Sequence, residues 1–201
     1  MKKSTIIILG ILAALLLMVF SAVGWYTRTY NSFVSLDEGV KSSWSQVENQ
    51  YQRRMDLIPN LVEVVKGYAA HESSVFTQVA EARSSVGKIQ VTPEVLRDPN
   101  LFKKYQEAQG QLTGALSRLL AVAENYPQLK ANENFLQLQS QLEGTENRIA
   151  VERRRFNEVV QDYNTRIRMF PASFIAGMSG FVQRPYFESQ TGADKAPQVK
   201  F

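Results

Sequence analysis

The sequence predicts an all-α protein: an N-terminal transmembrane helix, then an elongated antiparallel bundle of three long helices, then a short C-terminal helix. Three observations lead to this fold class. An uncharged and mainly apolar run extends from Ser4 to Tyr26. Beyond it, apolar residues recur with the 3,4 spacing of amphipathic helices nearly throughout the chain. Stretches with the alternation of β-strands are few, and turn signals are sparse.

The apolar run from Ser4 to Tyr26 is long enough to cross a membrane, since an α-helix needs about 20 residues to do so. A cleaved signal peptide is the alternative, because residues 22–24 form a small-x-small cleavage pattern. The run exceeds the usual apolar length of a signal peptide, about 7–15 residues. Trp25 and Tyr26 also suit the aromatic belt at a membrane surface. We therefore expect a retained single-pass anchor over residues 1–27.

Basic residues near the two ends of the run predict its orientation. Lys2 and Lys3 precede the run, whereas Arg28 is the one basic residue close after it. This asymmetry favours an N-terminus in the cytoplasm and a body outside it.

The first long helix of the body is expected from about Arg28 to Val86. The apolar stripe keeps its phase across Pro59, which favours one kinked helix over two separate helices at that position. At 1.5 Å per residue the helix would be about 90 Å long. A break is expected from Gly87 to Thr92.

The second and third helices have clear start signals. Asp98-Pro99 combines an N-cap with proline at the first helical position, and this helix should extend to about Asn125. Asn132 should cap the third helix, which is expected to reach Phe170. Its seam repeats every seven residues, which indicates left-handed, coiled-coil-like packing. The seam residues are Phe135, Leu142, Ile149, Phe156, Tyr163 and Phe170.

The remaining chain predicts a short helix and turn from Ala172 to Val182 over one end of the bundle, then a polar tail. The domains are therefore expected to be an anchor at 1–27, a helical bundle at 28–187 and a disordered tail at 188–201. Trp44, Ile58, Leu119 and Phe156 are expected in the core.

Composition excludes several classes of function. The chain has no cysteine, so it has neither disulfides nor thiolate metal sites. Its net charge is +4, of which Lys2 and Lys3 supply two, and so the body lacks the basic patch of a nucleic-acid binder. His71 is the single histidine, and Val75 stands where a zinc-protease motif needs a second one. We expect no catalytic residues, no cofactor and no metal.

Three charged residues fall in apolar seams: Arg54, Glu72 and Glu152. Charges at core positions destabilise a bundle unless they are paired. Either these positions lie at bundle edges, or they form an Arg–Glu pair within the chain or between subunits. Residues 153–155 are three consecutive arginines, which are expected on a solvated face.

The string Arg-Arg-x-Asp-Leu-Ile-Pro-Asn-Leu-Val at 53–62 strongly resembles the LemA family, and the likeness extends over nearly the whole chain. The resemblance implies an α-helical bundle on a single-pass anchor in the bacterial cytoplasmic (inner) membrane, and it supplies no reaction. It marks these family-motif or structural positions: Trp44, Arg53, Arg54, Asp56, Pro59, Asn60, His71, Glu72, Arg148, Arg153, Asn157, Tyr163, Asn164, Phe170 and Pro171.

Pattern and resemblance together predict a non-enzymatic, membrane-tethered helical scaffold that assembles with itself or organises other envelope proteins. The alternative is a signalling or stress-sensing adaptor coupled to a membrane partner. We expect a homo-oligomer, with Leu116, Leu120 and Leu136 as candidate interface residues. Alternatively, residues 172–182 cover these leucines within one chain.

Overall fold

The computed structural model describes residues 3–89 and 95–188, and over these residues the chain is helical with no strand. The all-α fold class is thereby confirmed. The helices are α1 (Lys3–Lys66), α2 (Ser73–Lys88), α3 (Pro99–Ala123), α4 (Pro127–Lys130), α5 (Glu133–Arg168) and α6 (Ala172–Ser179).

Helix α1 joins the apolar N-terminal run to the body without interruption. It has 64 residues, which at 1.5 Å per residue is about 95 Å. Pro59 lies within it, so the prediction of one helix across this proline is confirmed. Pro59 is on the exposed side of α1, where water can replace the backbone hydrogen bond that proline cannot donate.

The prediction that this helix extends to Val86 is wrong, because α1 ends at Lys66. Residues 67–72 form turns in which the Ala69 amide donates to the Val65 carbonyl and the Glu72 amide donates to the Ala69 carbonyl. The chain then reverses into α2. The apolar stripe keeps a helical phase on both sides of these turns, so periodicity alone could not separate one helix from two.

Four helices form an antiparallel up-and-down bundle. Tyr68, just after the end of α1, meets Asn132, just before α5. Gly39, in the middle of α1, faces Val159 in the last third of α5. Helices α2 and α3 also pair in opposite directions, since Gln78 meets Arg118. The close pairs are α1 with α5 and α2 with α3.

The predicted helix starts are confirmed. The Asp98 side chain accepts from the amides of Asn100 and Leu101 at 2.8 and 3.3 Å. The Asn132 side chain accepts from the amide of Phe135 at 3.0 Å. Each cap satisfies backbone donors that the first turn of a helix leaves without partners.

The core contains all four residues expected there: Trp44, Ile58, Leu119 and Phe156 are buried. The α5 seam is buried from Phe135 to Tyr163, but its last member is not. Phe170 is 80% exposed, because α5 ends at Arg168 and the seven-residue spacing no longer applies.

Helix α6 packs against α1 and α5 at the end of the body next to the apolar run. Gly180 ends it with a left-handed backbone, φ 75°. Residues 181–188 then leave α6 as a non-helical segment beside α5, which we call the C-terminal strap. Residues 90–94 of the expected break and 189–201 of the expected tail lie outside the described residues.

Candidate functional site: a buried polar centre, a cleft and the C-terminal strap

Arg54 forms the centre of a buried polar cluster in the middle of the bundle. Its side chain is 1% exposed. Nη1 donates to Glu146 Oε1 at 2.8 Å and to Thr113 Oγ1 at 2.9 Å, and Nη2 donates to Gln109 Oε1. The guanidinium also lies 5.2 Å from the Tyr51 ring centroid. The charge is therefore paired within the chain, by a glutamate that the sequence pattern did not indicate.

The other two seam charges lie at the edges of the bundle. Glu72 is half-buried and accepts from the Tyr126 hydroxyl at 3.3 Å. Glu152 pairs with the exposed Arg155 at 3.1 Å, one helical turn away. Of the two readings of the seam charges, the internal pair applies to Arg54 and the edge position applies to these glutamates.

A cleft of about 540 Å³ opens between α3 and α5, with Arg54 and Tyr51 among its lining residues. Helix α3 contributes Lys103 and Glu107 to the lining, and α5 contributes Glu146 and Arg153. The cleft thus carries charges of both signs. Burial raises the pKa of the Tyr51 hydroxyl, so this phenol stays protonated at neutral pH. Within residues 3–89 and 95–188, no three His, Asp or Glu side chains cluster as metal ligands would.

The asparagines that the sequence singled out on α5 bind the backbone of the C-terminal strap. The Asn157 amide nitrogen donates to the Phe187 carbonyl, and its oxygen accepts from the Phe187 amide, both at 2.9 Å. Asn164 bonds Arg184 in the same two-way manner, at 2.9 and 2.8 Å. The Tyr163 hydroxyl donates to the Val182 carbonyl at 3.0 Å. Side chains of α5 therefore satisfy strap backbone groups as a neighbouring β-strand would.

The spacing of the two asparagines matches the rise of the strap. Asn157 and Asn164 are seven residues apart in a helix, which is about 10.5 Å. Phe187 and Arg184 are three residues apart, which in extended chain is about 10 Å. An extended segment can therefore meet both amides in register.

Phe187 fixes the distal end of the strap in an aromatic cluster. Its ring centroid lies 4.9 Å from that of Phe102, 5.4 Å from that of Phe156 and 5.9 Å from that of Trp44. The Arg153 guanidinium lies 4.5 Å from the centroid of the same ring. Arg153 is thus half-buried against an aromatic ring, while Arg154 and Arg155 are exposed as expected.

Arg184 fixes the middle of the strap through a second buried ion pair. Its Nη2 donates to Asp37 at 2.5 Å and its Nη1 to the Leu96 carbonyl at 3.4 Å. Burial alone would raise the pKa of the Asp37 carboxyl, but hydrogen bonds from Arg184 and Lys41 outweigh it and hold that pKa below its usual value. No sequence pattern predicted this pair, although an arginine two residues from both Val182 and Tyr186 was the available signal.

Several of the family-motif positions lie away from the buried polar cluster, the cleft and the strap. Arg53, Asp56 and Asn60 lie on one exposed face of α1, and Asp56 accepts from Gln52 at 2.8 Å. His71 is exposed in the turn after α1, and Pro171 is exposed immediately before α6.

The candidate interface leucines have different surroundings. Leu116 is 3% exposed within the core, so a second molecule cannot reach it in this fold. Leu120 is half-buried beside a shallow groove between α3 and α5. Leu136 is 50% exposed. It lies about 48 Å along α5 from Arg168, so residues 172–182 cannot cover it.

The N-terminal part of α1 is long and apolar enough to cross a membrane, and none of its apolar window is buried by the body. The LemA family model matches residues 43–201. The chain belongs to the LemA family. The matched part of this LemA-family chain includes Arg54, the cleft and the strap.

Similarity to named bacterial proteins supports the assignment. The chain is 30% identical to the magnetosome protein MamQ of Magnetospirillum gryphiswaldense over 92% of this chain and 76% of that one. It is 28% identical to magnetosome protein MamQ 2 of Paramagnetospirillum magneticum, covering 89% and 71%. It is 22% identical to protein LemA of Metamycoplasma hominis, covering 75% and 65%. This LemA-family chain is therefore a membrane-associated helical protein of bacterial type.

Proposed function

We propose that this chain is a non-enzymatic, membrane-tethered scaffold that assembles with further copies of itself. The observation that carries the proposal is the continuity of α1, which extends from the apolar run into the core of the body as one helix. A body attached in this way cannot tumble freely about its anchor. Identical rods held upright in one plane are at high local concentration, so weak lateral contacts gain from avidity.

The membrane-spanning part of α1 offers a face for such contacts. Gly10, Ala14, Ser21 and Gly24 recur at helical spacing, and no other part of the chain packs against either glycine. Small residues of this kind allow two helices to approach closely in lipid. The body buries Leu116, one of the candidate interface leucines, whereas these four small residues all lie on the anchor, which favours the anchor as the contact.

The polar residues of the cleft support a binding or structural role over a catalytic one. Arg54 is bonded to three side chains, and Arg153 lies on the Phe187 ring. A group held in this way stabilises the fold and is not free to transfer a proton. The names of the relatives also give no reaction.

Cysteine scanning tests self-assembly directly, because the chain contains no cysteine of its own. Single cysteines are placed from Gly10 to Gly24 in the full-length protein and oxidised in native membranes. We expect disulfide-linked dimers at positions that recur every three or four residues, with maxima at Gly10, Ala14 and Ser21. Uniformly low crosslinking, together with a monomeric mass in mild detergent, would exclude the scaffold.

The adaptor is the second candidate, favoured by the open cleft of about 540 Å³ between α3 and α5. It predicts a monomer that co-purifies with one partner. Glu107→Lys on the cleft rim should then release the partner, whereas the scaffold predicts an unchanged dimer.

We also propose that the anchor is retained in the bacterial cytoplasmic membrane with the body outside the cytoplasm. Lys2 and Lys3 before the run support this orientation. Protease added to intact spheroplasts should digest the body. A body that is cleaved only after lysis would reverse the topology.

A further inference from the structure

Helix α6 presents a large apolar face that the body does not cover. Phe174 and Met178 are 67% and 83% exposed, and Phe170 two residues before the helix is 80% exposed. Phe174 and Met178 are four residues apart in α6 and therefore share one side of the helix. The Phe170 ring, just before the helix, lies 5.9 Å from the Phe174 ring, edge to face. Contiguous exposed side chains of this size mark interaction surfaces in soluble bodies.

The opposite side of α6 is fixed to the body. Ile175 and Ala176 are both 3% exposed in the core. The apolar face therefore has a set direction, away from the core, and cannot be hidden by a small rotation of the helix.

The position of α6 along the bundle identifies what covers this face. Phe181, just after α6, lies 5.7 Å from the Tyr30 ring and 5.4 Å from the Phe33 ring of α1. Tyr30 stacks on Tyr26, one helical turn nearer to the apolar run, which is about 6 Å along the axis. Tyr26 belongs to the aromatic belt expected at the membrane surface. These contacts place the end of α6 beside the end of the apolar run, where the headgroups of a bilayer that holds this run would lie.

The charge pattern at this end of the molecule fits the same location. Residues 163–187 contain no acidic residue and three arginines, of which Arg184 is buried against Asp37. Residues 4–36 contain Arg28 and no acidic residue. Arg166 and Arg168, at the end of α5, are exposed close to the apolar face. Arg166 also lies 3.6 Å from Asp162, one turn earlier, in a pair that is exposed to solvent. Basic residues close to a membrane surface are attracted to anionic headgroups.

We propose that α6 is a second membrane contact, an interfacial helix that inserts Phe170, Phe174 and Met178 into the bilayer that holds the anchor. Arg166 and Arg168 lie against lipid phosphates. The bundle is then attached to the membrane at two points, the α1 anchor and α6. Two attachment points fix the tilt of the bundle relative to the membrane plane. This inference rests on the proposal that the anchor is retained in a bilayer, and it does not depend on self-assembly.

Site-directed spin labelling of the full-length protein tests this contact, and the absence of native cysteine makes each label unique. Phe174→Cys and Met178→Cys are labelled in nanodiscs of phosphatidylcholine and phosphatidylglycerol that hold one copy each. The control is Asn134→Cys, exposed at the opposite end of α5. Accessibility to oxygen is compared with accessibility to a water-soluble nickel chelate.

We expect both α6 labels to be protected from the nickel chelate and open to oxygen, at a depth of about 5–10 Å in the interface. The label at position 134 should be open to the chelate. Labels at 174 and 178 that are as open to the chelate as the control would overturn the proposal. Protection from both reagents would also overturn it, because a protein surface and not lipid would then cover the face.

Discussion

Phe187→Ala should destabilise the whole bundle, although residue 187 is outside every helix. The ring is 7% exposed and lies 4.9–5.9 Å from the rings of Phe102, Phe156 and Trp44. Truncation of a buried phenylalanine costs about 3–5 kcal/mol in unfolding free energy. The site is at the edge of the core and can partly collapse, so we expect the lower end, about 3 kcal/mol. The backbone bonds to Asn157 remain, because alanine keeps its amide and carbonyl.

Urea unfolding of the full-length protein in mild detergent measures this loss. Trp25→Phe in every sample leaves Trp44 as the single tryptophan, and Trp44 stacks on Phe187. Tyr186→Ala is the matched control, since that neighbouring side chain is 40% exposed and should change stability by about 0.5 kcal/mol or less. A loss below about 1 kcal/mol for Phe187→Ala, or equal losses for both variants, would mean that the strap does not complete the core.

Four further variants test the interior. Glu146→Ala should cost about 3–5 kcal/mol, because it leaves the Arg54 guanidinium buried without a counter-ion. Arg54→Met should cost less, about 1–3 kcal/mol, because the Glu146 that it leaves without a partner is 34% exposed and can be hydrated. If urea unfolding shows that Arg54→Met costs more than Glu146→Ala, this explanation is wrong. The Asp37 carboxyl has a lowered pKa, so its pairing stabilises the fold above its unfolded value of 3.8 and is lost as pH falls through the folded value. The stability gap between wild type and Asp37→Asn should therefore shrink in urea titrations below about pH 4, and a constant gap would contradict the pairing. Phe156→Ala should cost about 3–5 kcal/mol by the same measurement, because its ring is fully buried, and a loss under about 1 kcal/mol would place it outside the core.

Two membrane contacts would give the scaffold a defined orientation relative to the membrane plane. Helix α1 sets the position of the body in the plane, and α6 would prevent rotation about that single support. A fixed tilt lets neighbouring copies present the same faces to one another, which favours regular over random association. Disulfide crosslinking in the anchor tests the scaffold, and spin labels on α6 test the interfacial helix. One proposal can therefore fail without the other.

The sequence alone determined the local features of this protein. The length of the apolar run indicates a helix that can span a membrane, and the caps at Asp98 and Asn132 locate helix starts within one residue. The seven-residue seam identifies the buried side of α5. These signals are local because they depend on helix geometry and on backbone donors within one turn.

Tertiary structure alone decided how these helices meet. The reversal after Lys66 keeps the apolar phase, so periodicity could not reveal a fourth bundle helix. Arg54 is paired with Glu146, which is 92 residues away, and no pattern along either helix selects that glutamate. Asn157 and Asn164 find their hydrogen-bond partners only when the strap backbone lies beside α5. Partner choice across long sequence separations depends on the packed arrangement of the whole chain, whereas caps and periodicity depend on a few neighbouring residues.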